Sequence, residues 1–520
     1  MTLPEQEKER TAEPVERPGS QRWWVLAVLC LVVTVVEVDA TIVNVALPSM
    51  ADSLSATSSD LAWISDAYIL TFAAFMLIGG RLGDTYGHKR LLMASLTVFG
   101  VASLLCVVAT STGELVAWRA LLGLGGAGIL PASLALVTVS FPAHERPKAF
   151  GIWSAMTVLG LPLGPVLGGW LLDHFWWGSV FFINLPLVVV TLASAQLLIR
   201  TPAPAAGGKR LDVLGVVLSA LGTGALLFAV IEGPRRSWTD PVVLGVGVLG
   251  VVLLAGFFAW QRRAQAPVVD LQLLRVRTFV VGSLAAALSF FVFTGIMFVL
   301  TQYLQGVLGY RPSNAGLAMV PLALLFTGAS LLAAPMAVRL GSRTVIAIGL
   351  FLIGAGMVVL TGADTSTGYA LIGVSLGLTG LGAGLTVGQA IGTSLSAVPP
   401  ALAGVGSAVG NSARQIGGAL GVAVLGSLLA SVYAGRLDDK GGDFPEGVVD
   451  RAGESLGALD SAAAGLDGDV GRRLLDIGHV SFVDALHTAM TVGAVLAVIS
   501  ALVVFALLPK GNLARGEGLE

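Results

Sequence analysis

The chain has 520 residues, of which 55% are hydrophobic and 12% charged, with a mean hydropathy of +0.85 and a formal net charge of −2. Soluble domains carry about a quarter charged residues, so this depletion excludes an ordinary water-soluble domain and places most of the chain in lipid. The near-zero net charge singles out no partner, and the only cysteines, Cys30 and Cys106, lie within apolar runs, which excludes a disulfide framework.

Runs of about 20 apolar residues predict fourteen membrane helices. They fall near 23–47, 62–80, 91–110, 115–139, 150–172, 179–199, 211–231, 241–260, 279–304, 314–337, 344–361, 368–396, 404–430 and 482–508. The polar start, residues 1–22, lacks a cleavage-site pattern and reads as a cytoplasmic tail rather than a signal peptide. With that end inside, the cytoplasmic segments hold 20 of the 30 basic residues and the short outside loops three. This contrast satisfies the positive-inside rule and predicts both termini in the cytoplasm.

The first span contains two acids, Glu37 and Asp39. At about 100° per residue, Thr34, Glu37, Thr41 and Asn44 form one polar stripe, while Asp39 points to the other side of the helix. A carboxylate in low dielectric is costly to keep charged, so it can take up and release protons near neutrality; alternatively both acids pair with neighbouring helices. Asp66 opens the second span, either as a helix cap facing water or as a group at a cavity mouth. After that span come Gly80, Gly83, Asp84, Gly87, Lys89 and Arg90. Here the glycines are expected to make tight turns, Asp84 to bond the amides at a helix start, and the basic pair to hold the loop in the cytoplasm.

The fourth span carries Arg119 ahead of Gly123, Gly125 and Gly128. A buried guanidinium stays charged, so it must meet a carboxylate or water, and Asp39 is the expected partner, with Glu37 second. The glycines also spell G-x-G-x-x-G, but no strand precedes them; close helix packing is the better reading. The fifth span is the most informative, with Gly151, Gly160, Gly164, Pro165, Gly168 and Gly169 in a run without charge. So many helix breakers predict a kinked, tightly packed helix. Arg414 and Gln415 lie in the thirteenth span, where the arginine either snorkels to the cytoplasmic face or couples to the transport machinery. No zinc spacing and no nucleophile triad exist, so no enzyme, metal or cofactor is expected.

The organisation follows from these spans. A first six-helix bundle (23–199), a linker with two inserted helices (200–278) and a second six-helix bundle (279–508) are expected, followed by a tail at 509–520. Gly123–Gly128 is echoed by Gly380–Gly384, as internal repeats of transporters would require. The loop 431–480 holds ten acidic and five basic residues and should lie outside, as a solvated cap or helical hairpin rather than a substrate funnel.

Together these residues resemble the fourteen-helix drug:proton antiporters of the major facilitator superfamily. Gly80 to Arg90 resembles the superfamily's gate motif, residues 39–48 its first-helix signature, Arg119 and Gly123 its fourth-helix motif, and Gly151 to Gly169 its antiporter motif. Phe181 to Pro186 and Arg414 to Gly418 resemble further stretches. The sequence departs at Leu122, where relatives often have glutamine, at Trp177-Gly178-Ser179, and in having no acid in the tenth or thirteenth span.

The resemblance implies alternating access, with Asp39 and Arg119 coupling protons and Glu37, Thr41, Asn44 and Asp66 facing substrate. It implies a monomer in the plasma membrane, driven by the proton gradient without a cofactor, with small molecules, protons and lipid as partners and no nucleic acid. The expected function is export of drugs, antibiotics or other amphipathic compounds. A same-fold carrier for a lipid, siderophore or amino acid, and a membrane receptor without transport, stay open.

Overall fold

The computed structural model describes residues 19–509, except 55, 57, 143, 200–211, 237, 265–266, 270, 400–401, 443 and 467. Both expected tails thus lie largely or wholly outside the described residues, as do Arg200, Lys209 and Arg210 in the linker.

Eighteen α-helices follow one another among the described residues. The first bundle comprises α1 (Gly19–Leu54), α2 (Ser58–Tyr86), α3 (His88–Val107), α4 (Thr112–Ser140), α5 (Arg146–His174), α6 (Ser179–Phe182) and α7 (Asn184–Leu198). The inserted pair is α8 (Val213–Arg236) and α9 (Pro241–Gln261). The second bundle comprises α10 (Arg277–Gln302), α11 (Pro312–Ala318), α12 (Val320–Leu340), α13 (Ser342–Leu360), α14 (Tyr369–Ser396), α15 (Ala403–Lys440) and α18 (Gly468–Leu507), with α16 (Glu446–Gly453) and α17 (Leu456–Ala464) in the last connection. Helices α6 and α7 form one span and α11 continues into α12, so fourteen helical segments among the described residues are long and apolar enough to cross a membrane.

Hydropathy marks the stretch in lipid and not the end of a helix, and the largest difference from expectation has that cause. Helix α15 continues through Arg436, Asp438 and Asp439 to Lys440, and α18 starts fourteen residues before the expected 482, at Gly468. Alanine, leucine, arginine and lysine, which fill much of the extension, are good helix formers whether or not the helix stands in lipid. Lys440 donates to the Asp484 carboxylate at 2.7 Å and ties the two extensions together. The expected loop 431–480 is therefore mostly helical.

Small residues set the packing. Helix α4 lies on α2 and α3, and α14 on α12 and α13, through glycines at matching places. A Cβ on Gly123 would fall 3.0 Å from the Phe72 amide of α2, and one on Gly125 would fall 2.9 Å from the Phe99 amide of α3. In the second bundle Gly380 meets Leu322 of α12, with Cα at 2.9 Å, and Gly382 meets Ile353 of α13, with the amide at 2.7 Å. The echo in sequence is thus an echo in structure, each run being the crossing point of the fourth helix of its bundle. Helix α8 packs on α9, α2 and α15, and so leans on both bundles.

Candidate functional site

Asp39 faces the interior of the first bundle and is fully buried. Arg119 Nη1 donates to its Oδ2 at 2.7 Å, and Asn184 Nδ2 at the start of α7 donates to its Oδ1 at 2.7 Å. The arginine is itself fixed: its Nε donates to the Ile64 carbonyl at 2.9 Å, and its guanidinium lies 4.6 Å from the centre of the Tyr68 ring. Tyr68 in turn donates to the Val36 carbonyl at 3.3 Å, one turn of α1 before Asp39. The expected pairing of Asp39 with Arg119 is made. Sequence reading passed over Asn184, Tyr68 and Ser103, which accepts from Asn184 at 3.2 Å. An asparagine inside an apolar span was the available signal for the first of these.

Glu37 lies on the other side of α1, against α5, where a Cβ on Gly160 would fall 2.6 Å from the Glu37 Cβ. It sits near enough to Arg414 of α15 to interact electrostatically without a direct salt bridge. Arg414 does not snorkel to a membrane face. Only 1% of it is exposed, and its guanidinium lies 4.6 Å from the Phe290 ring of α10 and 5.8 Å from the Trp153 ring of α5. Its Nε and Nη1 are buried without a hydrogen-bond acceptor. Gln415 beside it is half-buried.

The remaining stripe residues separate. The Thr41 hydroxyl turns back to the Glu37 and Val38 carbonyls at 3.2 Å each and packs against Gly164 of α5. Asn44 is exposed and accepts from Ser65 at 3.4 Å. Asp66 lines a cavity of about 450 Å³ between α2, α8, α10 and α15, away from Asp39.

The residues from Gly80 to Arg90 are mostly helical rather than looped. Helix α2 runs through Gly80 and Gly83 to Tyr86, and the turn is made by Gly87 alone, at φ 98°. Gly80 is used for close approach: a Cβ there would fall 3.0 Å from the Gly404 carbonyl carbon of α15. That approach brings Asp84 to the start of α15, where its carboxylate accepts from the Gly404 and Val405 amides at 2.8 and 2.7 Å. One bundle thereby caps a helix of the other. His88 Nε2 lies 3.4 Å from Asp84, Lys89 donates to the Gln196 carbonyl at 2.9 Å, and Arg90 is exposed.

Helix α5 is continuous from Arg146 to His174 despite its prolines. Its glycines divide between two neighbours. Gly151 meets the opposite bundle, where Ser330 of α12 donates to its carbonyl at 2.7 Å and a Cβ on Gly388 of α14 would fall 3.1 Å from its Cα. Gly160, Gly164 and Gly168 face α1 of their own bundle instead. The run from Gly151 to Gly169 thus divides between the opposite bundle, which α5 meets through α11, α12 and α14, and α1, which takes Gly160, Gly164 and Gly168; Pro165 and Gly169 are half-buried.

The model of the Major Facilitator Superfamily matches residues 29–422. The puromycin resistance protein pur8 of Streptomyces alboniger is 36% identical over 85% of this chain and 89% of its own length. The multidrug efflux pump LfrA of Mycolicibacterium smegmatis is 32% identical over 94% of this chain and 96% of its own. Among solved structures, the proton:xylose symporter XylE superposes with a TM-score of 0.62 at 13% identity, covering 94% of this chain and 96% of that one, a likeness of fold alone.

Proposed function

The chain belongs to the major facilitator superfamily as a multi-pass protein of the plasma membrane, and on that premise we propose that it exports amphipathic drugs in exchange for protons. It works as a monomer without a cofactor and has both termini in the cytoplasm. The observation that carries the proposal is the Asp39–Arg119 pair, a protonatable acid and a permanent cation buried together in lipid-embedded helices and braced by α2 and α7.

The energetics constrain how such a pair can switch. Moving one proton through about 100 mV yields about 2.3 kcal/mol. Breaking a buried ion pair and stranding one partner costs about 3–5 kcal/mol, more than that proton supplies. Arg119 must therefore keep other partners when Asp39 is protonated. The Ile64 carbonyl and the Tyr68 ring are in place to hold it. Asp39 then gains a proton without stranding a charge, and α1 is released from α4 at low cost.

The rest of the geometry supports direction. Asp84 on the α15 start and Gly151 against α12 and α14 close the end to which the basic residues point. Protonation from outside would loosen the first bundle, open the Asp84 gate and admit substrate. Release of the proton inside would re-form the pair and the gate and expose substrate outward.

Puromycin, the compound named for one relative, is the test probe. In inverted vesicles with an acid interior, wild-type protein should accumulate puromycin, and collapse of the pH gradient or Asp39→Asn should abolish accumulation. Accumulation that survives both treatments rejects proton coupling.

A further inference from the structure

Glu37 and Arg414 come from different bundles but lie against one face of α5. Glu37 of α1 sits at Gly160, where an added Cβ would fall 2.6 Å from the Glu37 Cβ. Arg414 of α15 sits at Trp153, with its guanidinium 5.8 Å from the centre of that ring. Trp153 and Gly160 share a face of α5 and stand two turns, or about 10 Å, apart along it. Met156 lies between them on the same face. Both Met156 and Glu37 are only half-buried, so protein does not seal this stretch.

The guanidinium is held in place but not satisfied. Trp153 from the first bundle and Phe290 from the second, the latter at 4.6 Å, fix it between aromatic rings. Only 1% of the residue is exposed, and its Nε and Nη1 meet no protein acceptor. An unpaired buried donor is costly, so a group that brings an acceptor to it gains more than it would at a surface. The Glu37 carboxylate offers the opposite chemistry at the other end of the stretch, an acceptor with negative charge. One face of α5 therefore carries a donor fork and an acceptor, separated by apolar surface.

We propose that the exported compound binds along this face, with Arg414 taking a carbonyl or similar acceptor, Glu37 taking a protonated amine, and aromatic parts lying on Trp153 and Phe290. The substrate class is then amphipathic amines that also carry a hydrogen-bond acceptor. A site built around a buried donor discriminates strongly against analogues without the acceptor, because they leave the donor unpaired. Glu37 and Trp153 belong to one half of the molecule and Phe290 and Arg414 to the other, so binding is tied to how the halves meet. This deepens the exporter reading and rests on it, and the two are separated as follows.

Puromycin carries an amine next to an amide carbonyl, and acetylating the amine removes its charge while leaving that carbonyl. In calorimetric titration of the full-length protein in nanodiscs, wild type should bind puromycin about ten-fold more tightly than the acetylated compound. Glu37→Gln should weaken puromycin about ten-fold and leave the acetylated compound as in wild type. Arg414→Met should weaken both about ten-fold, without lowering the unfolding midpoint of the ligand-free protein. Equal weakening of both compounds by Glu37→Gln, wild-type affinity in Arg414→Met, or no binding of puromycin by wild type overturns the site. A midpoint that falls together with affinity in Arg414→Met assigns that residue to the fold and also overturns it. Puromycin transport in inverted vesicles is read in parallel. The expected binding pattern without any transport leaves the site standing and defeats the exporter reading, whereas transport with binding indifferent to both substitutions defeats the site and leaves the exporter.

Discussion

Arg119 reaches Asp39 through a single nitrogen, Nη1 at 2.7 Å from Oδ2, while its Nε is committed to the Ile64 carbonyl at 2.9 Å. The pair is therefore a hinge between α1 and α4 in which only one contact need break. Asp39→Asn keeps the shape and removes the counter-charge, at a cost below the about 3–5 kcal/mol of a fully stranded charge because the Ile64 carbonyl and the Tyr68 ring still hold the guanidinium. A lowered unfolding midpoint and loss of gradient-driven export are expected. The double variant Asp39→Asn/Arg119→Gln should recover most of the stability and none of the export. A single variant as stable as wild type would show that this pair does not hold the bundle.

Asn184 has the donor and the acceptor to bond the Asp39 side chain either as a carboxylate or as an acid. Its Nδ2 donates to the carboxylate, and its Oδ1 is buried without a donor. An amide carries both donor and acceptor, so turning it over lets it accept the hydroxyl of protonated Asp39. Asn184→Leu removes a bond to a charged group, worth about 1.5–3 kcal/mol. Net export driven by the gradient should slow at least about ten-fold. Exchange of labelled for unlabelled substrate, which needs no change at Asp39, should persist. Equal loss of both activities would assign Asn184 a purely structural part.

Much of this was legible in the sequence because lipid makes charge conspicuous. A buried arginine in the fourth span needs an acid, and the facing of Asp39 away from Glu37 follows from helix periodicity. What could not be read was which neighbour each polar group meets. The polar stripe of Thr34, Thr41 and Asn44 has the spacing of a lining face, yet Thr34 and Thr41 satisfy their hydroxyls on their own helix carbonyls. The glycines of α5 present the same ambiguity: close packing is implied by composition, but only tertiary geometry assigns Gly151 to the opposite bundle and Gly164 to α1. Hydropathy likewise stops at the lipid boundary, and α15 and α18 do not.

Asp84 holds one bundle to the other by capping α15. Asp84→Asn removes the charge from that helix start and costs about 1 kcal/mol, about five-fold in the ratio of closed to open gate. Thr138, buried in the lining of the cavity at the gate end, can carry the reporter as Thr138→Cys, because the native Cys30 and Cys106 are buried and do not line it. Maleimide labelling at Cys introduced there should quicken about five-fold when Asp84→Asn is added. An unchanged rate would mean that the carboxylate does not bias the gate.

Gly151 and Gly164 should fail in different ways. An alanine methyl at Gly164 would sit 2.9 Å from the Ile42 amide, within one bundle, and overpacking of this kind costs about 1–3 kcal/mol. Gly164→Ala should lower the unfolding midpoint. At Gly151 the methyl would sit 2.8 Å from the Ser330 carbonyl oxygen across the bundle interface. Gly151→Ala should leave the midpoint unchanged, abolish export, and raise labelling at the Thr138→Cys reporter. The same response from both variants would contradict the division of α5 between its two neighbours.

Arg414 is a fully buried charge of the second bundle, and its setting joins the halves. The Phe290 ring comes from the second bundle and the Trp153 ring from the first, and Glu37 faces it electrostatically from α1. Desolvated cation–π contacts contribute about 2 kcal/mol, and lysine, a compact point charge, cannot lie flat between such rings. Arg414→Lys should therefore lose export. Arg414→Met, of similar volume and without the buried charge, should be as stable as wild type or more so, because two N–H groups no longer lack acceptors. The link to Glu37 is measured by kcat/KM for export in Glu37→Gln, Arg414→Gln and the double variant. Charges that sense each other across the interface should give a coupling of about 0.5–3 kcal/mol, and additive effects would show that each acts alone.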